Sequence, residues 1–286
     1  MGADILSQIH NRMGTFSKGQ KLIAGYILSS YDKAAFMTAS KLGKTVCVSE
    51  STVVRFAYEL GFDGYPSMQQ TLQELVRNKL TSVQRIEVAN DRIGNQNVVS
   101  SVLQADIDSI RSTYESLDRR EMEKTVDAIL NARKIYIVGV RSSEVLANFL
   151  NFYMRNIFDN VRLVSSTATS EMFEQLLHIG EGDVIIGISL PRYSSRTVKV
   201  MQFARDCGAT VIAITDKTDA PAGKVAHHVL IAKSDMVSVV DSLVAPMSVV
   251  NALIVSVGRR REEQMTRTFE DLERLWDEYE VYERVE

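Results

Sequence analysis

The sequence predicts an all-helical N-terminal domain followed by a three-layer α/β/α domain built on a five-stranded parallel sheet. Three observations predict it. Residues 14–79 carry apolar side chains at helical spacing, with no alternating or strand-length run among them. From residue 134 onward, five β-branched-rich runs of strand length alternate with helical stretches, the pattern of a parallel sheet covered on both faces. Between these regions residues 81–97 are polar and end in Gly94-Asn95-Gln96-Asn97, which reads as a linker. The expected domains are therefore 1–80, a linker at 81–97, and 98–286. A chain of 286 residues is long enough for both cores.

Composition narrows the class. With 45% hydrophobic and 24% charged residues the chain is of globular type. Cys47 and Cys207 lie far apart without metal-ligand spacing, so neither a disulfide framework nor a zinc site is expected, and a reducing cytoplasm is the natural compartment. Residues Met1 to His10 carry no basic region followed by a continuous apolar stretch, so no signal peptide is expected. The apolar stretch from Val237 to Val257 carries Asp241, Pro246 and Asn251, and is expected to be a buried helix rather than a membrane span. Net charge is −3 but unevenly spread: 9 Lys/Arg against 6 Asp/Glu in residues 1–80, and 3 against 10 in residues 262–286. The basic excess at the front is modest support for a phosphate-facing domain.

Taken in order, Ser17 with Gln20 forms a capping-box pattern ahead of Leu22, Ile23, Tyr26 and Ile27 at helical spacing. Residues 38–60 read as two helices across a tight connection. In the second, Ser49 is placed to cap, Glu50 suits the positive helix end, and Gly61 is placed to stop the helix in a left-handed conformation. Val53, Ala57 and Leu60 form the inward stripe, leaving Ser51, Thr52, Arg55 and Tyr58 outside. Short hydroxyls and an arginine at a helix start match the chemistry of phosphate and base-edge contact in a major groove, although any small helical domain offers a capped helix with a polar face. The run Val48-Ser49-Glu50-Ser51-Thr52-Val53-Val54-Arg55-Phe56, then Leu60-Gly61-Phe62 and Gly64-Tyr65, resembles the N-terminal domain of the RpiR family of regulators. The resemblance implies a helix-turn-helix domain in which Ser49, Ser51, Thr52 and Arg55 contact duplex DNA. Phe62 and Tyr65 are expected to pack and lock the helix end.

In the second domain, helices are expected near Val98–Leu117 and Arg120–Ala132, and strands at Lys134–Val140, Val161–Ser165, Asp183–Ser189, Thr210–Thr215 and His228–Ala232. The first strand runs into Arg141-Ser142-Ser143, and the third into Ser189-Leu190-Pro191-Arg192-Tyr193-Ser194-Ser195-Arg196-Thr197. Each loop opens a helix, where unsatisfied amides and the dipole favour phosphate, and Arg192 and Arg196 add charge. Serine capping alone is the plainer reading of either loop by itself. A dinucleotide fingerprint is absent because Arg141 fills a position that needs glycine, so no nicotinamide or flavin cofactor is expected. Together the loops resemble the sugar isomerase (SIS) domain that forms the C-terminal part of RpiR regulators, over about residues 108–258. The resemblance implies a phosphosugar site, with Arg141, Ser142, Ser143, Ser189, Arg192, Ser194, Ser195 and Thr197 as its ligand-binding residues. Family loops usually read Gly-x-Gly-x-Ser and Ser-x-Ser-Gly-x-Thr, and both depart here: Arg141 and Ser195 stand where glycine is usual. The extra arginines point toward an acidic sugar phosphate.

Glu144, Glu171, His178, His227 and His228 are the candidates for isomerase acid and base chemistry, and none matches a specific motif. The charged tail from residue 262 keeps Phe269, Leu272, Leu275 and Trp276 at helical spacing and is expected to be a docked amphipathic helix. The reading is a transcription regulator that is not an enzyme, binds an operator as a homodimer or homotetramer, and responds to a phosphorylated sugar or sugar acid. The apolar stretch ending at Val257 and the tail helix are the candidate subunit interfaces. A sugar-phosphate isomerase with an accessory helical domain, and a metabolite-binding module whose helical domain recognises protein, remain open beside it.

Overall fold

A computed structural model of the chain describes residues 5–79, 86, 97–234 and 240–283. Residues 81–97, read as a linker, lie almost wholly outside them. Contacts divide the chain into two compact units, with the first boundary between Val102 and Leu103.

The N-terminal unit is helical: α1 (Ile5–Asn11), α2 (Lys18–Ser29), α3 (Tyr31–Ala34), α4 (Ala39–Thr45), α5 (Glu50–Glu59) and α6 (Tyr65–Lys79). The capping box forms as the sequence indicates. The Ser17 hydroxyl accepts from the Gln20 amide, and the Gln20 side chain accepts from the Ser17 amide. Ile23, Ala24 and Ile27 face inward with Phe56, Leu42, Met68 and Leu72. Leu22, part of the same apolar set, is 49% exposed, because the buried face of α2 is centred on Ile23 and Ile27 and leaves Leu22 beside it. Tyr65 is buried and its phenol donates to the Met37 carbonyl at 2.6 Å, while burial pushes its ionisation up to about 12, so it remains a donor. Phe62 packs against the same core. Both aromatics therefore pack on the core, and Tyr65 ties the start of α6 to the segment between α3 and α4.

The second unit contains α7 (Val98–Ser116), whose first residues belong to the N-terminal unit, then α8 (Arg119–Leu130), β1 (Ile135–Gly139), α9 (Ser142–Met154), β2 (Val161–Val164), α10 (Thr169–Gln175), β3 (Val184–Ile188), α11 (Ser195–Asp206), β4 (Thr210–Thr215), α12 (Pro221–Val225), β5 (His228–Ile231), α13 (Val244–Arg260) and α14 (Glu262–Glu278). The five strands pair in parallel in the order β2-β1-β3-β4-β5, with Gly139 opposite Ile188 and Ile188 opposite Ile214. Alternation along each strand sorts side chains to two faces. Ile135, Ile137, Ile186, Ile212 and Ile214 meet α8, α9 and α13, whereas Tyr136, Val138, Ile185, Val211 and Ala213 meet α10, α11 and α12. The result is the three-layer arrangement the buried runs indicate.

At the amino ends of the central strands, buried Asp183 accepts from the Arg133 Nε and NH2 at 2.9 Å each and from the Gly180 amide at 3.0 Å. Burial alone would raise this carboxyl, but the guanidinium and the amide outweigh it and hold it below the usual carboxylate range.

Two helices differ from expectation. The apolar helix read from Val237 begins at Val244, because Pro246 lacks an N–H and would clash with a helical carbonyl four residues upstream, so it fits only in the first turn. Among the described residues no helix is long and apolar enough to cross a membrane. The tail helix α14 is present and amphipathic, yet none of its residues is buried; Met265 is the one that packs against the core cluster.

Candidate functional site

The first candidate site is the α4–α5 pair. Helix α4 ends in a Schellman turn: the Val48 amide donates to the Gly43 carbonyl at 2.8 Å and the Cys47 amide to the Lys44 carbonyl at 3.4 Å. Cys47 holds the left-handed position at φ 56°, where glycine is the usual occupant. Gly43 is required for a different reason, since a Cβ there would lie 2.8 Å from the Val48 carbonyl oxygen. Helix α5 closes in the same way through Gly61 at φ 89°, with Phe62 donating to Ala57 and Gly61 to Tyr58.

The start of α5 carries the residues singled out by sequence. Ser49 caps it, accepting from the Thr52 amide at 3.3 Å, and its hydroxyl lies 2.9 Å from that of Ser51 and 2.8 Å from that of Thr52. Ser49, Ser51 and Arg55 are exposed and Thr52 half-buried, while Val53, Phe56, Ala57 and Leu60 face the core. Arg55 Nε donates back to the Ser51 carbonyl at 3.3 Å, laying the guanidinium along the outer face. A Cβ at Gly19 would lie 3.5 Å from the Thr52 methyl, so the N-terminus of α2, with exposed Lys18 and Lys21, stands beside this surface. Exposed Lys41 and Lys44 lie on α4. These four lysines were visible in the sequence only as the basic excess of the first 80 residues.

The second candidate site lies at the carboxyl edge of the sheet. Chain order runs from β1 outward to β2 on one side and to β3 and β4 on the other, so the crevice between β1 and β3 is the topological switch point at which open α/β sheets bind ligands. All eight ligand candidates follow those two strands. Arg141, Ser142 and Ser143 bridge β1 to α9; Ser189, Arg192, Ser194, Ser195 and Thr197 bridge β3 to α11. Gly139 permits this closeness, because a Cβ there would lie 2.5 Å from the Ser143 carbonyl oxygen.

Neither helix start is capped by a side chain. Serine capping, the plainer explanation for these loops, is thereby removed: Ser194 occupies the cap position of α11 without accepting from its amides. The first-turn amides of α9 and α11 remain available to an anion. Behind them, the hydroxyls of Ser189 and Thr197 are buried without a hydrogen-bond partner. Buried polar atoms are nearly always satisfied, which makes these two hydroxyls, beside two open helix starts, the candidate donors of the crevice.

The backbone is strained at the same place. Arg141 adopts φ 60° and ψ −129°, and Arg192 φ 56°, conformations costing non-glycine residues roughly 1–3 kcal/mol each. Arg196, a charge candidate from sequence, is instead committed to the Thr167 carbonyl at 2.8 Å.

Several supporting groups were not singled out by sequence. The Tyr193 phenol donates to Asp216 at 2.8 Å, and the Thr215 hydroxyl to the Ser189 carbonyl at 2.7 Å, tying the end of β3 to that of β4. The loop after β2 contributes Ser165, which donates to Glu144 at 3.2 Å, and Ser166, which donates to Glu171. The hydroxyl-rich run from Ser165 to Ser170 was the available signal.

The histidine candidates lie elsewhere. His227 and His228 stand at the amino end of β5, on the opposite edge of the sheet. His227 Nδ1 accepts from the Val211 amide at 2.9 Å, and burial, with Arg205 and His228 nearby, lowers its ionisation; His228 pairs with Glu121 at 2.9 Å. His178 precedes β3 on that same edge. Among the described residues no cluster of His, Cys, Asp or Glu has the makings of a metal site.

Two surfaces remain. A cavity of about 640 Å³ opens between α9, α13 and α14, its wall largely apolar through Ile157, Ile254, Val255, Met265 and Phe269, with Tyr153, Asn156, Asn251, Arg259 and Glu262 also lining it. Helix α7 exposes Val99, Leu103, Ile107, Ile110 and Tyr114 at helical spacing, a stripe the sequence reading passed over.

Comparison with known proteins separates the same two parts. Residues 3–79 match the helix-turn-helix domain of the rpiR family and residues 128–256 match the SIS domain. An HTH-type transcriptional regulator of Clostridium perfringens is 28% identical over 79% of this chain and 80% of its own length. The HTH-type transcriptional regulator HexR of Pseudomonas aeruginosa is 26% identical over 74% of this chain and 73% of its own. Among solved structures, the sugar isomerase domain of an RpiR transcription factor from Sphaerobacter thermophilus covers 63% of this chain and 99% of that one, with 26% identity and a TM-score of 0.60. The Vibrio vulnificus NanR protein, solved in complex with ManNAc-6P, covers 96% of this chain and 98% of that one, with 19% identity and a TM-score of 0.60.

Proposed function

Because this chain belongs to the RpiR family of transcriptional regulators, with a helix-turn-helix domain and a SIS domain, we propose that it binds an operator through α5 and that a phosphorylated sugar or sugar acid in the crevice between β1 and β3 modulates that binding. The observation that carries the sensing half is the pair of uncapped helix starts over the orphaned hydroxyls of Ser189 and Thr197. Phosphate fits such a place, since helix amides and short hydroxyls donate together and the dipoles favour negative charge. The ManNAc-6P complex of NanR, a protein of the same fold, supports the ligand class.

In this reading residues 1–80 form the DNA-binding domain, 81–97 the linker and 98–286 the sensing domain. Ser49, Ser51, Thr52 and Arg55 contact DNA, and Lys18, Lys21, Lys41 and Lys44 add phosphate contacts. Arg141, Ser142, Ser143, Ser189, Arg192, Ser194, Ser195 and Thr197 hold the effector. The protein acts in the cytoplasm as a homodimer or homotetramer. The exposed apolar stripe of α7 supports self-association, alongside α13 and α14. Paired copies present two recognition helices to two half-sites, and an effector shifts operator affinity only by binding the competent and incompetent arrangements unequally.

The SIS domain acts as a sensor. The relatives matched over about three-quarters of the chain are transcriptional regulators, and all three histidines considered for proton transfer stand on the edge opposite the crevice. Selecting duplexes from a random pool and retesting them with a sugar-phosphate panel examines both halves. Expected are one enriched sequence and at least one sugar phosphate that changes its affinity. No enrichment removes the DNA reading; enrichment without any response to the panel removes the sensing reading.

A further inference from the structure

We propose that α14 is an exchange arm: its apolar face pairs antiparallel with α14 of a second copy, and the far half of each arm closes the other copy's cavity between α9, α13 and α14. The proposal rests on the reading of the protein as a homodimer or homotetramer and names how two of its copies hold one another.

The apolar face of the arm is incompletely covered. Met265, Phe269, Leu272 and Trp276 form one stripe along the helix, and each is only half-buried. Met265 and Phe269 have the chain's own cavity beneath them. Leu272 and Trp276 lie past its lining, Leu275 beside them is 47% exposed, and Trp276 meets Tyr282 of the same tail edge-on at 5.2 Å. Helices in proteins owe most of their stability to packing such a face, so the second half of this one lacks its main support within the chain. The cavity has the converse defect. Its wall adds Ile157, Ile254 and Val255, and Val255 and nearby Phe152 on α9 are both well exposed. Contiguous apolar surface of this kind marks a place where another molecule sits.

The spacing of the stripe identifies that molecule. Its intervals are four, three and four residues, a series that reads the same in reverse. An antiparallel copy therefore sets Trp276 over Met265 and Leu272 over Phe269, and two-fold symmetry repeats both contacts on the other side. One operation thus lays the exposed half of each arm on the half that borders the cavity. Charge agrees. Residues 270–278 hold five acids and one base, Arg274, which pairs with Asp271. The cavity they approach carries Arg259 in its wall, and Arg155 at the end of α9 precedes Asn156 of the same wall. Both guanidinium groups are exposed and have no hydrogen bond or ion pair among the described residues. Glu262 is the single acid among the described lining residues. A parallel arrangement would bring the two acidic halves together, whereas the antiparallel one sends each toward arginine.

The test uses the full-length protein in a background carrying Cys47→Ser and Cys207→Ser. Met265→Cys and Trp276→Cys are made in separate chains, which are mixed, equilibrated and treated with a short bifunctional maleimide. Two copies of position 265 stand eleven residues apart along the antiparallel pair, roughly 16 Å, as do two copies of position 276, so the mixture should cross-link far more readily than either chain alone. Leu272→Asp and Arg259→Glu, neither at a buried position, should leave Tm nearly unchanged and lower the yield of the mixture several-fold, and Arg259→Lys should retain it. Cross-linking of either chain with itself as readily as in the mixture, no cross-linking of a protein that sedimentation shows to be dimeric or larger, or a yield indifferent to both Leu272→Asp and Arg259→Glu overturns the exchange and leaves self-association standing. A protein that sediments as a monomer at every concentration removes the oligomer reading and this one with it.

Discussion

Replacing Thr197 by Val should make the unliganded protein more stable and at the same time blind it. Thr197 is fully buried in the first turn of α11, and its hydroxyl oxygen has no hydrogen-bond partner. A buried hydroxyl without a partner forfeits its hydration and receives nothing in return, at a cost of about 1–3 kcal/mol, and valine keeps the same shape without that cost. Taking the lower end, because a neighbouring side chain can relax toward the oxygen, the expected gain is about 1 kcal/mol. For a domain of this size that corresponds to a rise of roughly 2–4 °C in Tm. The effector loses one hydrogen bond from a neutral donor to a charged phosphate, worth roughly 1.5–3 kcal/mol, so its affinity should fall on the order of 10- to 100-fold. Differential scanning calorimetry of the unliganded variant and titration with whichever sugar phosphate the parent binds give the two numbers. A lower Tm in the variant would mean that the hydroxyl is satisfied in the native protein, and the sensing proposal would lose its main support.

Three further outcomes are expected. Arg55→Ala should weaken operator binding by about 1–3 kcal/mol with an almost unchanged Tm, measured by fluorescence anisotropy on the selected duplex; equal affinity would take Arg55 off the reading surface. Cys47→Gly should stabilise the N-terminal unit by roughly 0.5–1 kcal/mol, since Cys47 is exposed, free and left-handed, and release of that strain exceeds the added chain entropy of glycine; a loss of stability in thermal denaturation would contradict the Schellman assignment. Folding favours neutral His227, so its contribution is whole above an unfolded pKa of about 6.5 and is lost as pH falls through the lower folded value. Tm should therefore decline as pH falls below about 6.5, and His227→Gln should flatten that part of the profile; an undiminished slope would assign the decline to other groups.

The sheet was legible because the three central strands are buried on both faces and the half-buried edge strands still carry apolar β-branched residues, so five runs such as Val184–Ile188 announce themselves and end within two residues of where the backbone leaves the ladder. Ser17 and Ser49 were legible as caps because a hydroxyl three residues before an amide carries its own geometry. Ser194 has the same local sequence character and does not cap, a difference set by how α11 meets the sheet and not by its neighbours in the chain. Cys47, Arg141 and Arg192 gave no sign of their left-handed backbones, since sequence propensity assigns that region to glycine and these residues are held there by the elements on either side. The bond from Tyr193 to Asp216 joins residues 23 apart on neighbouring strand ends, and the strand order that brings them together is a tertiary fact. Residue type thus located the crevice, while its strain, orphaned hydroxyls and braces required the fold.

The two edges of the sheet carry different kinds of chemistry. At the amino edge, Arg133 with Asp183, His228 with Glu121, and His227 with the Val211 amide are mutually satisfied and need nothing from outside. At the carboxyl edge, donors stand open and the backbone is held under strain. Mutational drift should consequently be asymmetric: substitutions at the amino edge are removed because the chain fails to accumulate, whereas the segments at 140–143 and 189–197 are free to vary as long as some small anion suits them. A regulator built this way can be retargeted to a new metabolite by grafting those two segments, and directed evolution of a biosensor from this scaffold has about a dozen positions to search rather than a whole domain.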